Sequence, residues 1–449
     1  STAGSDTLLW AAEAGGTLSL SGDLGTIADG STLDVSSAAT AVTIAGSPNS
    51  LTLGGDVSFK NSSLANAWSI SAVIDGAGSL AKTGAGTLNL SGVNTYTGGT
   101  SLSAGTLSVN GDSALGNAAG GLLLNWGTLR TSAAVTSARA LTLGSQGGTI
   151  DAAQAGSTFS GVIGAAGSLG ITDSIGGGTI TLAGANTFSG GLTVNGALGV
   201  SLQAAAANVF GSGAVVLNSG LGRADLNLAG FNQTIGSLTA DANSTVRLAA
   251  AQLTSGADNT SSTFAGTISD GGAGGSLVKT GGGVWNLTRA NSYSGGTTVN
   301  AGTLGIDDLS ALGSGAVTLD GGTLRTNSAL TFSRDMTLGA SGGTIDTAGN
   351  DSSFSGILSA GALTKAGNGT LTLSGVNTYA GGTTLSAGTL SVAAENNLGA
   401  PAGALTFAGG TLKTLGGLVD ARAVTLSGGG TIDVNGLTST FSGVFADGS

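Results

Sequence analysis

GVNTYTGGTSLSAGTLSV at 92–109 returns almost letter for letter as GVNTYAGGTTLSAGTLSV at 375–392. Two looser copies, GANTFSGGLTVNGALGV at 184–200 and RANSYSGGTTVNAGTLGI at 289–306, lie between them. A chain that repeats one small unit cannot close a core inside each copy, so neighbouring copies must stack and share one. The repeat asparagines Asn94, Asn186, Asn291 and Asn377 are 92, 105 and 86 residues apart. A second marker, GGTID, places Ile150, Ile345 and Ile432 at gaps of 195 and 87. The unit is therefore near 87 residues, and the long gap equals two units plus 21 residues. That remainder matches the spacing of strand triplets within a unit, as if one coil had been inserted whole.

Inside a unit the cadence is shorter. From Gly369 the chain reads GTLTLSG, GGTTLSAGTLSV, GALTFAGGTLKT and AVTLSGGGTIDV. Leu371 and Leu373 share one face of such a strand and Thr370 and Thr372 the other, the period of two that leaves one side dry. Glycine, alone or paired, ends nearly every strand. No segment carries the three-and-four apolar spacing of a helix. The expected fold is all-β: a parallel β-helix, or solenoid, running as one continuous domain over 1–449 with about 21 coils. Its superunits are expected at 66–146, 147–255, 256–341, 342–428 and, truncated, 429–449. Stacked at about 4.8 Å per coil, they would extend on the order of 100 Å. A row of sandwich domains of about 90 residues is the competing architecture. The coil-sized insertion, the frequent turns and an aromatic content of only 4% argue against it.

Composition removes whole classes of chemistry. The 449 residues contain neither cysteine nor histidine, which excludes disulfides, thiol chemistry and a Ser-His-Asp triad. Net charge is −11 and the thirteen basic residues are scattered, so nucleic acid is not an expected partner. Glycine fills 85 positions without a three-residue period and with only two prolines, which excludes collagen. No apolar run reaches the roughly twenty residues of a membrane helix. Ser1 opens directly onto small and polar residues, so no secretory leader is expected in this stretch.

The charges keep phase with the repeat. Lys82, Lys279 and Lys365 each stand twelve residues before a repeat asparagine; Arg130, Arg325 and Lys413 follow GTL; Arg139, Arg334 and Arg422 come nine residues later. The threonine of GTL puts the following cation on the polar face. One reading is a cationic line for polysaccharide or lipid headgroups. The other is solvation of uncharged flanks, with aspartates such as Asp151, Asp346 and Asp433 as partners. Cations of one slot lie about 20 Å apart or more by the stacking distance, beyond a Debye length of about 8 Å, so a single focused site is not expected. The four asparagines are expected to hold turns through their amides, and Tyr96, Phe188, Tyr293 and Tyr379 to pack over a coil.

Catalytic equipment is not expected. Asp307 and Asp308 form the only acidic doublet, in the loop-like GIDDLSALG, and adjacent strand residues face opposite ways, unlike the carboxylate pair of a glycosidase. DGGAGGSL at 270–277 lacks the spaced aspartates of a calcium repeat, and KTGGG at 279–283 reverses the order of a phosphate loop. The expected catalytic, cofactor-binding and metal-binding sets are empty, and no cofactor is expected.

GALTKAGNGTLTLSGVNTYAGGTTLSAGTLSV, with its parallels at 82–109 and 279–306, resembles the autotransporter-associated β-strand repeat of type V secretion passengers. LGITDSIGGG near Ser168 replaces the lysine element in the second copy, so regularity is expected to weaken there. The resemblance implies a right-handed β-helix exported across the outer membrane of a Gram-negative bacterium by its own C-terminal β-barrel and displayed on the cell surface. FSGVFADGS at the end stops where earlier units continue into the lysine element, so the chain is expected to be a fragment of a longer protein. It also implies a structural or adhesive role, in attachment or cell–cell aggregation, with copies on neighbouring cells or surface glycans as candidate partners. The alternatives are an inert stalk or filament subunit presenting an unseen domain, and a polysaccharide-acting β-helix enzyme.

Overall fold

Among the described residues of the computed structural model, the strand pairings with an assigned register are parallel, and each joins residues one turn apart in sequence. The structure describes residues 7–9, 18–20, 25–35, 42–44, 50–153 and 156–448; the opening at Ser1 lies outside them. The chain divides into two units, one of residues 1–233 with 243–245 and one of 234–242 with 246–449. No α-helix occurs among the described residues.

In the first unit one turn comprises Leu80–Thr83, Thr87–Leu90 and a third side at 94–97. The next turn places Thr100–Leu102 and Thr106–Val109 in register on the first two sides. On the third side Thr95 N bonds Ile74 O of the turn before, and Asn117 N bonds Tyr96 O from the turn after. Alternation decides what faces in. Trp68, Leu88, Leu107, Leu129, Ile150, Ile171, Val194 and Leu217 follow one another in register, and each is at most 1% exposed. This column is the core, and no single turn could supply it.

The second unit repeats the scheme. Trp285, Leu304, Leu324 and Ile345 stack in register and are buried. Lys365 then takes the next inward step, followed by Leu385 and Phe407. On the outer face of the same strands Thr303, Thr323, Thr344, Thr364, Thr384, Thr406 and Thr425 form a ladder of hydroxyls.

Two expectations are adjusted. Turns vary from 19 residues between Thr87 and Thr106 to 26 between Asp34 and Lys60, so the solenoid makes about 19 turns rather than about 21. The second repeat copy also keeps its order: Leu169–Thr172 pairs with strands on both sides, and Gly178–Leu182 does the same. Within GIDDLSALG, Gly305 and Ile306 end the strand Thr303–Ile306 and Leu309–Leu312 form a single 3-10 turn, with equivalents at Asp112–Leu115 and Glu395–Leu398.

The alternation makes an asymmetric demand on substitutions. Leu107→Ala should cost about 2–5 kcal/mol by emptying the column, while Thr128→Ala on the outer face should stay within about 0.5 kcal/mol. Denaturant unfolding of the two variants checks this, and equal costs would contradict the assigned faces.

Candidate functional site

Where turns interrupt the parallel strands, backbone carbonyls from successive turns converge, and the repeated polar residues collect there. Lys82 follows Leu80 on the dry face of its strand and is fully buried. Its Nζ donates to the carbonyls of Thr83 at 2.8 Å, Gly84 at 2.6 Å and Ala104 at 3.2 Å. Lys279 meets Thr280, Gly281 and Ala301 in the same way. Lys365 meets Ala366, Gly367 and Ala387 and adds the Thr347 hydroxyl at 3.0 Å. Burial pushes Lys82 and Lys365 down to about 8, Lys365 against the opposing pull of Asp346 and Asp351. It also lowers Lys279, opposed by Asp258. The carbonyls favour the charged form, and at neutral pH Lys82 and Lys365 are buried cations.

The arginine slot does similar work at the 3-10 turns. Arg139 is 6% exposed; its guanidinium bonds the carbonyls of Asp112, Gly116, Asn117 and Gly120 and the Asp112 carboxylate. Arg422, also buried, reaches the carbonyls of Gly399 and Glu395. Arg334 is half-buried and reaches Gly313 O at 2.8 Å. Gly116, Gly313 and Gly399 close the three 3-10 turns, and a carbonyl at that end is where a cation is well placed.

Each repeat asparagine joins three turns. Asn94 accepts from Ile74 N at 2.9 Å and donates to Ala114 O at 2.6 Å. Asn186, Asn291 and Asn377 make the same two bonds to Ile163 and Val209, Ile268 and Ala311, and Leu358 and Asn397. They hold neighbouring turns rather than their own. Two residues on, the ring of Tyr96, Phe188, Tyr293 or Tyr379 is fully buried against Gly116, Gly211, Gly313 or Gly399. All four glycines have positive φ, and an added Cβ would lie 2.6–2.8 Å from a ring carbon. Tyr96, Tyr293 and Tyr379 share hydrogen bonds of 2.6–2.7 Å with Thr100, Thr297 and Thr383. Where phenylalanine stands instead, at Phe188, the matching position is Leu192.

The cationic-line reading therefore fails for the lysine slot and for Arg139 and Arg422, as does solvation, because these side chains are spent on backbone carbonyls inside. Only the GTL slot lies on the outer face. There Arg130 pairs with Asp151 at 2.7 Å, and Lys413 lies 3.9 Å from Asp433. Arg325 bonds Asn286 and Asn327 instead, and Asp346 accepts from Ala348 N. Asp308 caps the 3-10 turn by accepting from Ser310 N, and Asp307 accepts from Asn327, so the acidic doublet is engaged in turn structure. Among the described residues no group of three or more His, Cys, Asp or Glu could hold a metal ion. No described helix is long and apolar enough to cross a membrane.

What remains for a partner is the outer face. In the first unit Thr87, Thr106, Thr128 and Thr149 continue in register, and the second unit carries the seven-threonine ladder described above. Sequence alternation signals these ladders; the convergence of carbonyls on the cations has no such local signal.

Segments 80–109, 175–197, 277–306 and 363–392 match the family model for the passenger-associated-transport-repeat. Over 382 residues, 79% of this chain, the sequence is 33% identical to the Adhesin BmaC autotransporter of Brucella suis biovar 1 (strain 1330). The chain spans 11% of that protein's length. No solved structure matches the chain.

Two measurements bear on the buried polar groups. Folded Lys82 and Lys365 release a proton near pH 8, against 10.5 for the ordinary lysine. Between those values the unfolded chain holds more protons, so stability should climb with pH. Burial raises Tyr96 and Tyr379 to about 12 from the ordinary 10.0. Above about pH 10 the unfolded tyrosines lose protons that the folded ones keep, and stability should fall. A thermal midpoint that declines steadily from pH 7 to 10 would contradict the buried cations. Second, Tyr293→Phe and Thr297→Val should each destabilise, and the double variant should cost less than their sum by about 1 kcal/mol. A double-mutant cycle with no coupling would refute the pairing.

Proposed function

We propose that this chain, whose repeats and relative are those of an autotransporter passenger exposed at the surface of a Gram-negative bacterium through the outer membrane, acts in adhesion without catalysis. The observation that carries the reading is the division of labour between faces. Repeated lysines, asparagines and buried arginines are consumed in holding turns together, while the outer strands present long in-register rows of threonine. A row of identical weak contacts gains avidity when many engage at once. The matched relative is named an adhesin, which agrees with attachment to surfaces or aggregation between cells.

We assign its translocation partner as a C-terminal outer-membrane domain of the full-length protein. A stalk presenting another domain is the second reading, favoured by the small share of the relative that this chain spans, 11%. A polysaccharide-acting enzyme has less support, because Asp307 and Asp308 are engaged in turn structure.

Deleting residues 66–428 from the protein in its native bacterium separates these readings. Attachment and autoaggregation should drop several-fold while the remaining passenger stays accessible to external protease. Unchanged attachment and aggregation with normal display would overturn the adhesive role of this segment.

A further inference from the structure

Trp126 occupies a backbone position that the fold reserves for glycine. In LLLNWGTLRT, VTLDGGTLRT and LTFAGGTLKT the aligned residues are Trp126, Gly321 and Gly409. All three have positive φ, at 78°, 91° and 119°. Each makes the same backbone bond to the following turn: Trp126 N to Gly147 O at 2.7 Å, Gly321 N to Gly342 O at 2.6 Å, and Gly409 N to Gly429 O at 2.8 Å. The backbone therefore needs only glycine here, and a bulky side chain in this region is strained. Nor does burial offset the strain. Trp126 is 74% exposed, whereas Trp68 and Trp285 are 1% and 2% exposed. Strain at an exposed aromatic with no packing role points to a ligand.

The indole lines an open groove of about 580 Å³ whose other walls include Ser103, Ala104, Thr106, Thr128 and Thr149. None of the lining residues is charged. Thr106, Thr128 and Thr149 are successive members of the outer ladder, so their hydroxyls repeat at about 4.8 Å along the groove. An anionic headgroup or nucleic acid would need cations, and here Arg130 is already paired with Asp151. An apolar peptide would need a lining richer in large hydrophobic side chains. A flat aromatic face beside evenly stepped hydroxyls matches a sugar chain: C–H faces of a ring stack on indole, and ring hydroxyls exchange hydrogen bonds with threonine.

We propose that Trp126 and the Thr106–Thr128–Thr149 ladder form a binding site for a neutral, linear glycan, with Trp126 as the platform on which one sugar ring stacks. The site deepens the adhesive reading and rests on it for its biological purpose, but it is testable separately.

The purified passenger is titrated with cellohexaose, laminarihexaose and mannohexaose while tryptophan emission is followed. Trp126 is the exposed contributor among the described tryptophans. At least one hexasaccharide should shift the emission to shorter wavelength, with saturation. Read by isothermal titration calorimetry, because substitution removes the emitting indole, Trp126→Gly should weaken that binding about tenfold or more while leaving the thermal midpoint unchanged or higher, since glycine relieves the strain. Trp126→Phe should retain part of the affinity. If no hexasaccharide perturbs the emission, or if Trp126→Gly binds like the parent, the glycan site is overturned. Bacteria displaying Trp126→Gly that still attach normally would also remove this site from adhesion, yet leave the adhesive reading standing. Loss of attachment on deleting 66–428 is judged independently of the titration.

Discussion

Hydrogen bonding from each turn of backbone to the next is the constraint from which the other features follow. Along the strands the parallel ladder satisfies donors and acceptors at regular intervals. At the corners it cannot, and carbonyls are left facing the interior, where an unmet polar group costs about 1–3 kcal/mol. Lys82, Arg139 and Asn94 answer that demand in one copy; Lys365, Arg422 and Asn377 answer it in the last. Buried charge in a chain with only 8% charged residues is thus a consequence of building a dry column from short coils.

The second copy shows that the demand, and not the residue type, is what must be met. Ile171 replaces the lysine and stays in the apolar column. Asp173 then satisfies the enlarged turn from the opposite sign, accepting from the N–H groups of Ile175, Gly176 and Gly178. Gln233 bonds Val209 N and the carbonyls of Ala206 and Phe231, taking over corner contacts near the place where other copies use arginine. Phe188 and Leu192 lose both hydroxyls together, so neither is left without its partner.

Because the polar side chains with long reach are occupied inside, recognition is left to what stands outside: rows of threonine at the coil spacing, a few outer ion pairs and isolated exposed aromatics. Such a surface favours many weak, neutral contacts over one charged site. Trp126 departs from this uniformity, since its backbone conformation is one that two other copies meet with glycine.

The repeat and the two-residue alternation were enough to establish parallel coils, an inward column of leucine, isoleucine and valine, and threonine outside, because side-chain direction in a strand is a local property. By the same alternation Lys82 shares a face with Leu80, yet a free ammonium is ordinarily driven off a dry face, and the sequence alone reads the lysine slot as a charged line or as solvated flanks. Only the tertiary structure decided that it stays, by bringing Ala104 O from the next turn beside carbonyls of its own turn. Arg139 and Arg422 follow their strands at corners where alternation ceases to apply, and their burial depends on carbonyls about one turn earlier in the chain. Long-range convergence of backbone acceptors leaves no periodic trace in the residues that receive them, which is why the sequence displayed the cations in phase but not the side of the wall on which they stand.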